Sequence, residues 1–283
     1  MAERIIVSLT TWSKRIGNIP VVLDTIFNQT VLPDLVVLNL GYDESIPENV
    51  NHYIVSHNIE INRVKDTKVY KKLIPTLKKY PNDCIISIDD DWLYPKGMIE
   101  DFMEVHKKYP NNPISGNREV MFDMQCHCGC ASLTKAEYFG RYLDIIDDEI
   151  IKNCTSDDIV YTYFATKSGH PYIRTKGLYF TNLTPYNDCA SYSDTIVFSN
   201  SNGINDSYDY LVNKFGKQTD SVSLYVKDEI LSDIISDIYK KNMSIESRKS
   251  IKKGREEVYN TYSFKLGYTL LKPIRFLKTI FKN

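Results

Sequence analysis

The segment Cys84–Pro95, CIISIDDDWLYP, carries a short run, apolar except for Ser87, straight into three adjacent carboxylates and then returns to Trp92, Leu93 and Tyr94. Three like charges side by side repel, so folding alone gives no reason to gather them. CIISI offers apolar residues to both of its faces, which is what a strand in a parallel sheet covered by helices requires. The carboxylates therefore stand at the carboxyl end of a central strand, where open α/β sheets bind ligands.

The flanking sequence extends this pattern. Upstream, RIIVSLTTW (4–12) reads as a buried strand, and IPVVLDTIFNQT (19–30) as the helix behind it, with Val22, Ile26 and Phe27 apolar. LVVLNLGY (35–42) and IEINRV (59–64) give two further strands, and YKKLIPTLKKYP (70–81) a helix. Downstream, GMIEDFMEVHKKYP (97–110) places Met98, Phe102 and Val105 at helical spacing and stops at Pro110. Strands alternating with helices predict an α/β fold of the doubly wound, Rossmann-like kind, with a mostly parallel central sheet flanked by helices. From about Pro113 the segments become shorter and more polar, with a helix in SDDIVYTYFATKSG (156–169) and a Tyr-rich stretch to about residue 215. The expected organisation is a domain over 1–215 in two halves, a sheet half to about 112 and, from about 113, a half that forms the acceptor side of a cleft. A helical C-terminal extension follows over 216–283, where VKDEILSDIISDIYKK (226–241) puts five Leu/Ile residues on one stripe.

With 42% apolar and 25% charged residues in 283, the chain suits a soluble globular protein and not a disordered one. The net charge of -1 conceals an asymmetry: twelve Lys/Arg face three Asp/Glu from Lys240 onward, leaving 23 against 33 before it. An acidic body with a basic tail does not suggest nucleic-acid binding. The apolar core of the N-terminus is too short for a signal peptide, and no stretch approaches the roughly 18 apolar residues that span a bilayer. Six cysteines without a secretory signal point to free thiols in a reducing cytoplasm.

If the extended conformation continues past Ile88, Asp89 and Asp91 point one way and Asp90 the other. Two converging carboxylates suit a hard dication, and Mg²⁺ or Mn²⁺ held that way completes its shell with water and substrate phosphates. The plainer reading is a solvated acidic turn.

Four motifs, IVSLTTWSKRI (6–16), YKKLIPTL (70–77), IISIDDDWLYP (85–95) and CTSDDIVYTYFA (154–165), stand in an order and spacing that resembles bacterial GT-A glycosyltransferases of the family 2 type, which act in capsule or lipopolysaccharide assembly. The likeness spans about residues 4 to 175. It implies a GT-A fold and a metal-dependent transfer of a sugar from a nucleotide diphosphate, a UDP-sugar foremost, to a hydroxyl of a glycan or lipid-linked acceptor. By the same likeness Asp89 and Asp91 hold Mn²⁺ or Mg²⁺, and Thr10, Arg15, Lys72 and Asp90 lie on the donor side. A Lys near the departing diphosphate would stabilise its charge. Arg15 as a surface cation, and Lys72 as one of several lysines on a solvated helix face, are the plain alternatives. The DDGS-like segment of many relatives is absent after the second strand, where NLGYDES (39–45) stands, so no residue is assigned to reading the base.

In TSDDIV (155–160), Thr155 or Ser156 is positioned as a helix cap, with Asp157 and Asp158 in the first turn. Both acids would complement the helix dipole. The resemblance implies more: Asp158 as the base of an inverting displacement, taking the acceptor hydroxyl's proton, and Asp157 as the neighbour that orients it. CHCGC (126–130) reads as three sulfurs along one face of a strand, either buried thiols or a zinc site, with Gly129 allowing close approach. His127 and His170 are single histidines, structural by default, although His170 could complete the metal shell. The terminus KPIRFLKTIFKN (272–283) forms a basic amphipathic stripe suited either to an anionic membrane surface or to the acidic body. A cytoplasmic enzyme peripheral to the inner face of the membrane is the resulting expectation. A nucleotidyltransferase would want a Gly-rich, Lys-containing loop where SLTTWSKRIG stands. A glycoside hydrolase would use two carboxylates without metal. A non-catalytic sugar-nucleotide-binding protein of the same fold is the remaining rival.

Overall fold

Alternation along the strands builds two cores. In a computed structural model describing residues 3–116, 120–122, 124–127, 129–175, 181–182 and 202–218, β1 (Ile5–Thr10) turns Val7 and Leu9 to one core and Ile6 to the other. After α1 (Ile19–Phe27), β2 (Leu35–Gly41) repeats the pattern, with Val36, Leu38 and Leu40 opposite Val37. Then follow α2 (Glu48–Ser56), β3 (Glu60–Val64), α3 (Ile74–Lys79) and β4 (Cys84–Ile88). β5 (Trp92–Leu93) and α4 (Met98–Lys108) lead to β6 (Ile114–Ser115), the β7 (Val120–Met121) and β8 (Met124–Gln125) hairpin, and β9 (Ala131–Thr134). The chain continues through α5 (Tyr142–Ile145), α6 (Asp148–Asn153), α7 (Asp157–Lys167), β10 (Ile173–Arg174), β11 (Thr181–Asn182) and α8 (Asn202–Phe215).

Seven strands form one sheet in the order β10-β6-β9-β4-β1-β2-β3. β4 lies against β1 in parallel, β1 against β2 and β2 against β3, while β9 runs antiparallel between β4 and β6. The fold is thus the expected α/β one: a mostly parallel sheet flanked by helices, and it continues without a break across residue 113. β5 pairs with β11 beside it.

Two local readings are corrected, and one helix went unread. The helix expected over 70–81 is two pieces, a 3₁₀ turn over Lys68–Lys72 and then α3, because Pro75 starts a helix well but cannot continue one. The strand expected through 126–130 ends at Gln125, and Cys126 and Cys130 lie outside any strand, so the expected row of sulfurs on one strand face is not found among the described residues. α2 escaped the sequence reading because only Val50 and Ile54 are buried in an otherwise polar segment. The helical region expected over 216–283, with its amphipathic helix and basic tail, lies outside the described residues except for 216–218.

α7 is buried almost all round, with Ile159 to Thr166 enclosed between the sheet and α8. Tyr163 Oη donates to the Leu211 carbonyl at 3.1 Å, and Phe164 meets Phe215 edge to face. A polar lattice ties β1, β2 and α3 together: Asn39 Nδ2 donates to Ser8 Oγ at 3.0 Å and to Thr76 Oγ1 at 2.9 Å. Ser8 Oγ in turn donates to the Lys72 carbonyl at 2.6 Å, which fixes where that lysine begins. Among the described residues no helix is long and apolar enough to cross a membrane.

Candidate active site

The strand ends at Ile88, and residues 89–91 turn. Strict alternation therefore fails for the three carboxylates. Asp89 goes to one cation, with Lys72 Nζ 3.0 Å from its Oδ1. Asp90 and Asp91 go together to another: Arg15 Nη1 lies 2.7 Å from Asp91 Oδ2, and Arg15 Nη2 lies 3.2 Å from Asp90 Oδ1. Thr11 Oγ1 adds a hydrogen bond to Asp90 Oδ2 at 2.6 Å. Tyr94, the last aromatic of the motif, pins the turn: its Oη accepts from the Asp89 N–H at 3.0 Å and sits 2.8 Å from the Cys130 carbonyl oxygen.

Lys72 is buried, not on a solvated face, and its Nζ also lies 3.2 Å from Asp157 Oδ2. Burial alone would discharge it, but Asp157, Asp89 and Asp158 outweigh that and hold its pKa well above the ordinary lysine value. Burial pushes Asp90 up to about 7 despite Arg15 and Thr11. Burial also raises Asp89, an effect tempered by Lys72 and by the 30% of its side chain that still meets solvent.

Asp157 and Asp158 open α7 as the spacing predicts. Ser156 takes the cap position without a side-chain cap; its N–H donates to Ser207 Oγ at 3.3 Å. The two acids diverge. Asp157 is buried against Lys72, whereas Asp158 keeps 26% of its side chain exposed and lies beside Gly129. A Cβ on Gly129 would stand 3.2 Å from Asp89 Oδ2 and 3.3 Å from Asp158 Oδ2, so the missing side chain is what lets both carboxylates approach one loop.

Behind them, His127 is fully enclosed. Its Nδ1 is 2.9 Å from Tyr172 Oη, and its Nε2 is 3.3 Å from Ser87 Oγ and 4.0 Å from Asp158 Oδ1. Burial, and secondarily the charge on Lys72, lowers its pKa well below the usual histidine value, so the ring is neutral. The backbone N–H of His127 donates to Thr162 Oγ1 at 2.8 Å, and that hydroxyl donates to the Asp158 carbonyl at 2.6 Å.

Of the expected residues, Asp89, Asp157, Asp158 and Lys72 meet in one cluster, and Arg15, Asp90 and Asp91 in the adjoining one. Thr10 is the last residue of β1, not part of the loop, and donates its hydroxyl to the Asn39 carbonyl at 2.8 Å. Thr11 is the threonine that faces the carboxylates. His170 does not approach them. It precedes β10, which is parallel to β6, and its Nδ1 is 2.7 Å from the Asn111 carbonyl oxygen at the opposite end of the sheet. Cys126 is a buried thiol and Cys130 a half-buried one; Cys128 lies outside the described residues. Thr11, Tyr94, Ser87 and Tyr172 were not foreseen. Thr11, Ser87 and Tyr94 stand inside the motifs already singled out, whereas Tyr172 carried no sequence signal.

Asp89 and Asp91 supply oxygen donors of the kind that Mg²⁺ and Mn²⁺ prefer, on adjacent clusters at one strand end. Among the described residues these carboxylates do not come together as a three-ligand group.

No family model matches the chain, and no curated protein does. Similar solved structures include a 4-diphosphocytidyl-2C-methyl-D-erythritol synthase (12% identity, TM-score 0.41, 62% of this chain and 90% of that one). S. aureus TarS aligns at 13% identity and TM-score 0.48, over 82% of this chain and 47% of that one. A glucosyl-3-phosphoglycerate synthase from Mycobacterium tuberculosis, in complex with Mn²⁺, UDP-glucose and phosphoglyceric acid, aligns at 14% identity and TM-score 0.32, over 40% and 43%. The chain spans under half the length of the last two.

Proposed function

We propose that this protein is a glycosyltransferase of the GT-A type that moves a sugar from a nucleoside diphosphate, UDP foremost, onto a hydroxyl of a glycan or lipid-linked acceptor. The observation that carries the reading is the approach of Asp89 and Asp158 to one glycine, with Lys72 buried behind them. That pattern suits a donor site and an acceptor site sharing one reaction point.

Asp89 and Asp91 would hold Mn²⁺ or Mg²⁺, whose contribution is to neutralise charge on the donor diphosphate. Lys72 and Arg15 supply fixed positive charge on the same side, where the leaving diphosphate gains a negative charge. Asp158, the half-exposed acid, takes the acceptor hydroxyl's proton as that oxygen bonds to the anomeric carbon and the bond to the diphosphate breaks. Attack from the face opposite the leaving group inverts the anomeric centre. Asp157, committed to Lys72, holds the start of α7 in place. Asp90, enclosed by Thr11 and Arg15, supports the donor side through them.

The four sequence motifs support a role in bacterial surface polysaccharide synthesis, and the basic terminus from Lys272 would attach the enzyme to an anionic membrane face. The test is a panel of nucleotide sugars with and without Mn²⁺, read by thermal shift and by nucleoside diphosphate release. Metal-dependent stabilisation by one donor, lost in Asp89→Asn and Asp91→Asn, is the expected result. Release of pyrophosphate in place of a nucleoside diphosphate would identify a nucleotidyltransferase, and metal-independent turnover would overturn the reading.

A further inference from the structure

A second cluster of ligating side chains lies at the other end of β4. Cys84 begins the strand that Ile88 ends, so it stands roughly 16 Å from Asp89 at about 3.3 Å per residue. Around it, Glu3 from the segment before β1 and His106 from the last turn of α4 converge. Cys84 Sγ is 3.4 Å from Glu3 Oε2 and 3.6 Å from His106 Nε2, and Nε2 is 3.2 Å from the same Glu3 oxygen. Among the described residues this is the one group of three such side chains whose ligand atoms come together. The spacing is informative. With ordinary zinc–ligand bond lengths, the edges of a tetrahedron are about 3.6 Å from sulfur to nitrogen or oxygen and about 3.4 Å from nitrogen to oxygen.

We propose that Glu3, Cys84 and His106 form a zinc site, distinct from the carboxylate cluster, in which Glu3 Oε2, Cys84 Sγ and His106 Nε2 are three ligands and water is the fourth. The thiol proton leaves to solvent as the sulfur binds, and the imidazole binds in its neutral form. One thiolate and one carboxylate then balance the dication. Lys135 does not compete for the same atom: its Nζ lies 2.6 Å from Glu3 Oε1, the other oxygen, and so aims Oε2 at the sulfur and the ring. A sulfur–nitrogen–oxygen set selects zinc over the Mg²⁺ or Mn²⁺ that an all-oxygen site prefers. His106 Nδ1 is buried without a hydrogen-bond partner, so the site lacks the outer support that tightens zinc binding, and moderate affinity follows. Bound zinc would tie the N-terminal segment to the start of β4 and the end of α4.

The test uses the full chain, stripped with chelator and titrated with Co²⁺ and then Zn²⁺. One equivalent of Co²⁺ should give tetrahedral absorption bands with a thiolate charge-transfer band, displaced by Zn²⁺. The charge-transfer band should vanish in Cys84→Ser and persist in Asp89→Asn and in the Cys126→Ser, Cys128→Ser and Cys130→Ser variants. Because Cys84 is fully enclosed, Glu3→Gln and His106→Gln provide the second arm: Glu3 is solvent-exposed, and losing a direct ligand should weaken Co²⁺ at least about 100-fold, beyond the usual cost of losing an outer-shell partner. Zn²⁺ should raise the melting temperature of the wild type and not of Glu3→Gln. Absence of the charge-transfer band in the wild type, its survival in Cys84→Ser, or wild-type affinity in Glu3→Gln and His106→Gln would overturn the site.

Discussion

Lys72 Nζ stands 3.0 Å from Asp89 Oδ1 at the end of the central strand, and the same nitrogen neutralises Asp157 at the start of α7. One buried cation thus joins the two acidic motifs that are far apart in sequence. Replacing it with Met should leave these carboxylates facing each other without compensation. Breaking a buried pair from one side costs about 3–5 kcal/mol. Lys72→Met should therefore lower the urea-derived stability by that order and abolish transfer. A loss under about 1 kcal/mol, the usual ceiling for a surface pair, would show that water already screens the cluster.

Gly129 admits a different kind of test. A methyl at this position would sit 3.2 Å from one carboxylate and 3.3 Å from the other, contacts tight enough to move flexible side chains without unfolding the loop. Gly129→Ala should keep stability within about 1.5 kcal/mol while lowering kcat/KM at least about 10-fold, since misplacement of reacting groups by even a fraction of an ångström is costly. Wild-type kinetics in this variant would show that Asp89 and Asp158 need not share one loop.

The strands and their two-sided burial could be read from residue types because period-two alternation repeats over β1, β2 and β4. The acidic ends of β4 and α7 could be read for a similar reason: charge placed at the mouth of a buried element has few structural explanations. What could not be read was pairing. Whether Lys72 faced solvent depended on Pro75 splitting one helix into two, and whether Asp90 shared a cation with Asp91 depended on the chain turning one residue after Ile88. The surroundings of His127, read only as a single structural histidine, carried no signal because its partners, Ser87, Thr162 and Tyr172, come from three separate segments, none with a spacing signature.

The two acids at the start of α7 should separate in kinetics. Asp158→Asn should lower kcat by about 10²-fold or more with donor affinity unchanged, the pattern of a lost general base. Asp157→Asn should act on the fold, because it leaves Lys72 with one carboxylate fewer in a buried site. Its signature is a reduced urea midpoint. A large kcat loss in Asp157→Asn with full activity in Asp158→Asn would exchange the two roles.

His127 makes a prediction about acid stability. The groups that face it are Asp158 and Tyr161 from α7, Ser87 from β4, Tyr172 before β10, and the charge of Lys72; burial and that charge hold the ring neutral in the folded protein. In the unfolded chain the same imidazole takes up a proton as pH falls through about 6.5. The unfolded state then binds one proton more than the native state, so stability drops as pH decreases below that value. Between pH 7 and pH 5 this one group should cost up to about 2 kcal/mol, from about 1.4 kcal/mol per unit once the unfolded histidine is protonated. His127→Gln cannot take up that proton. Urea unfolding of both proteins at pH 7 and pH 5 isolates the effect, since every other titrating group cancels in the comparison. The wild type should lose more stability than the variant over that interval, by up to about 2 kcal/mol. Equal losses would mean that His127 accepts a proton in the folded protein, with Asp158, 4.0 Å from its Nε2, as the group that stabilises it.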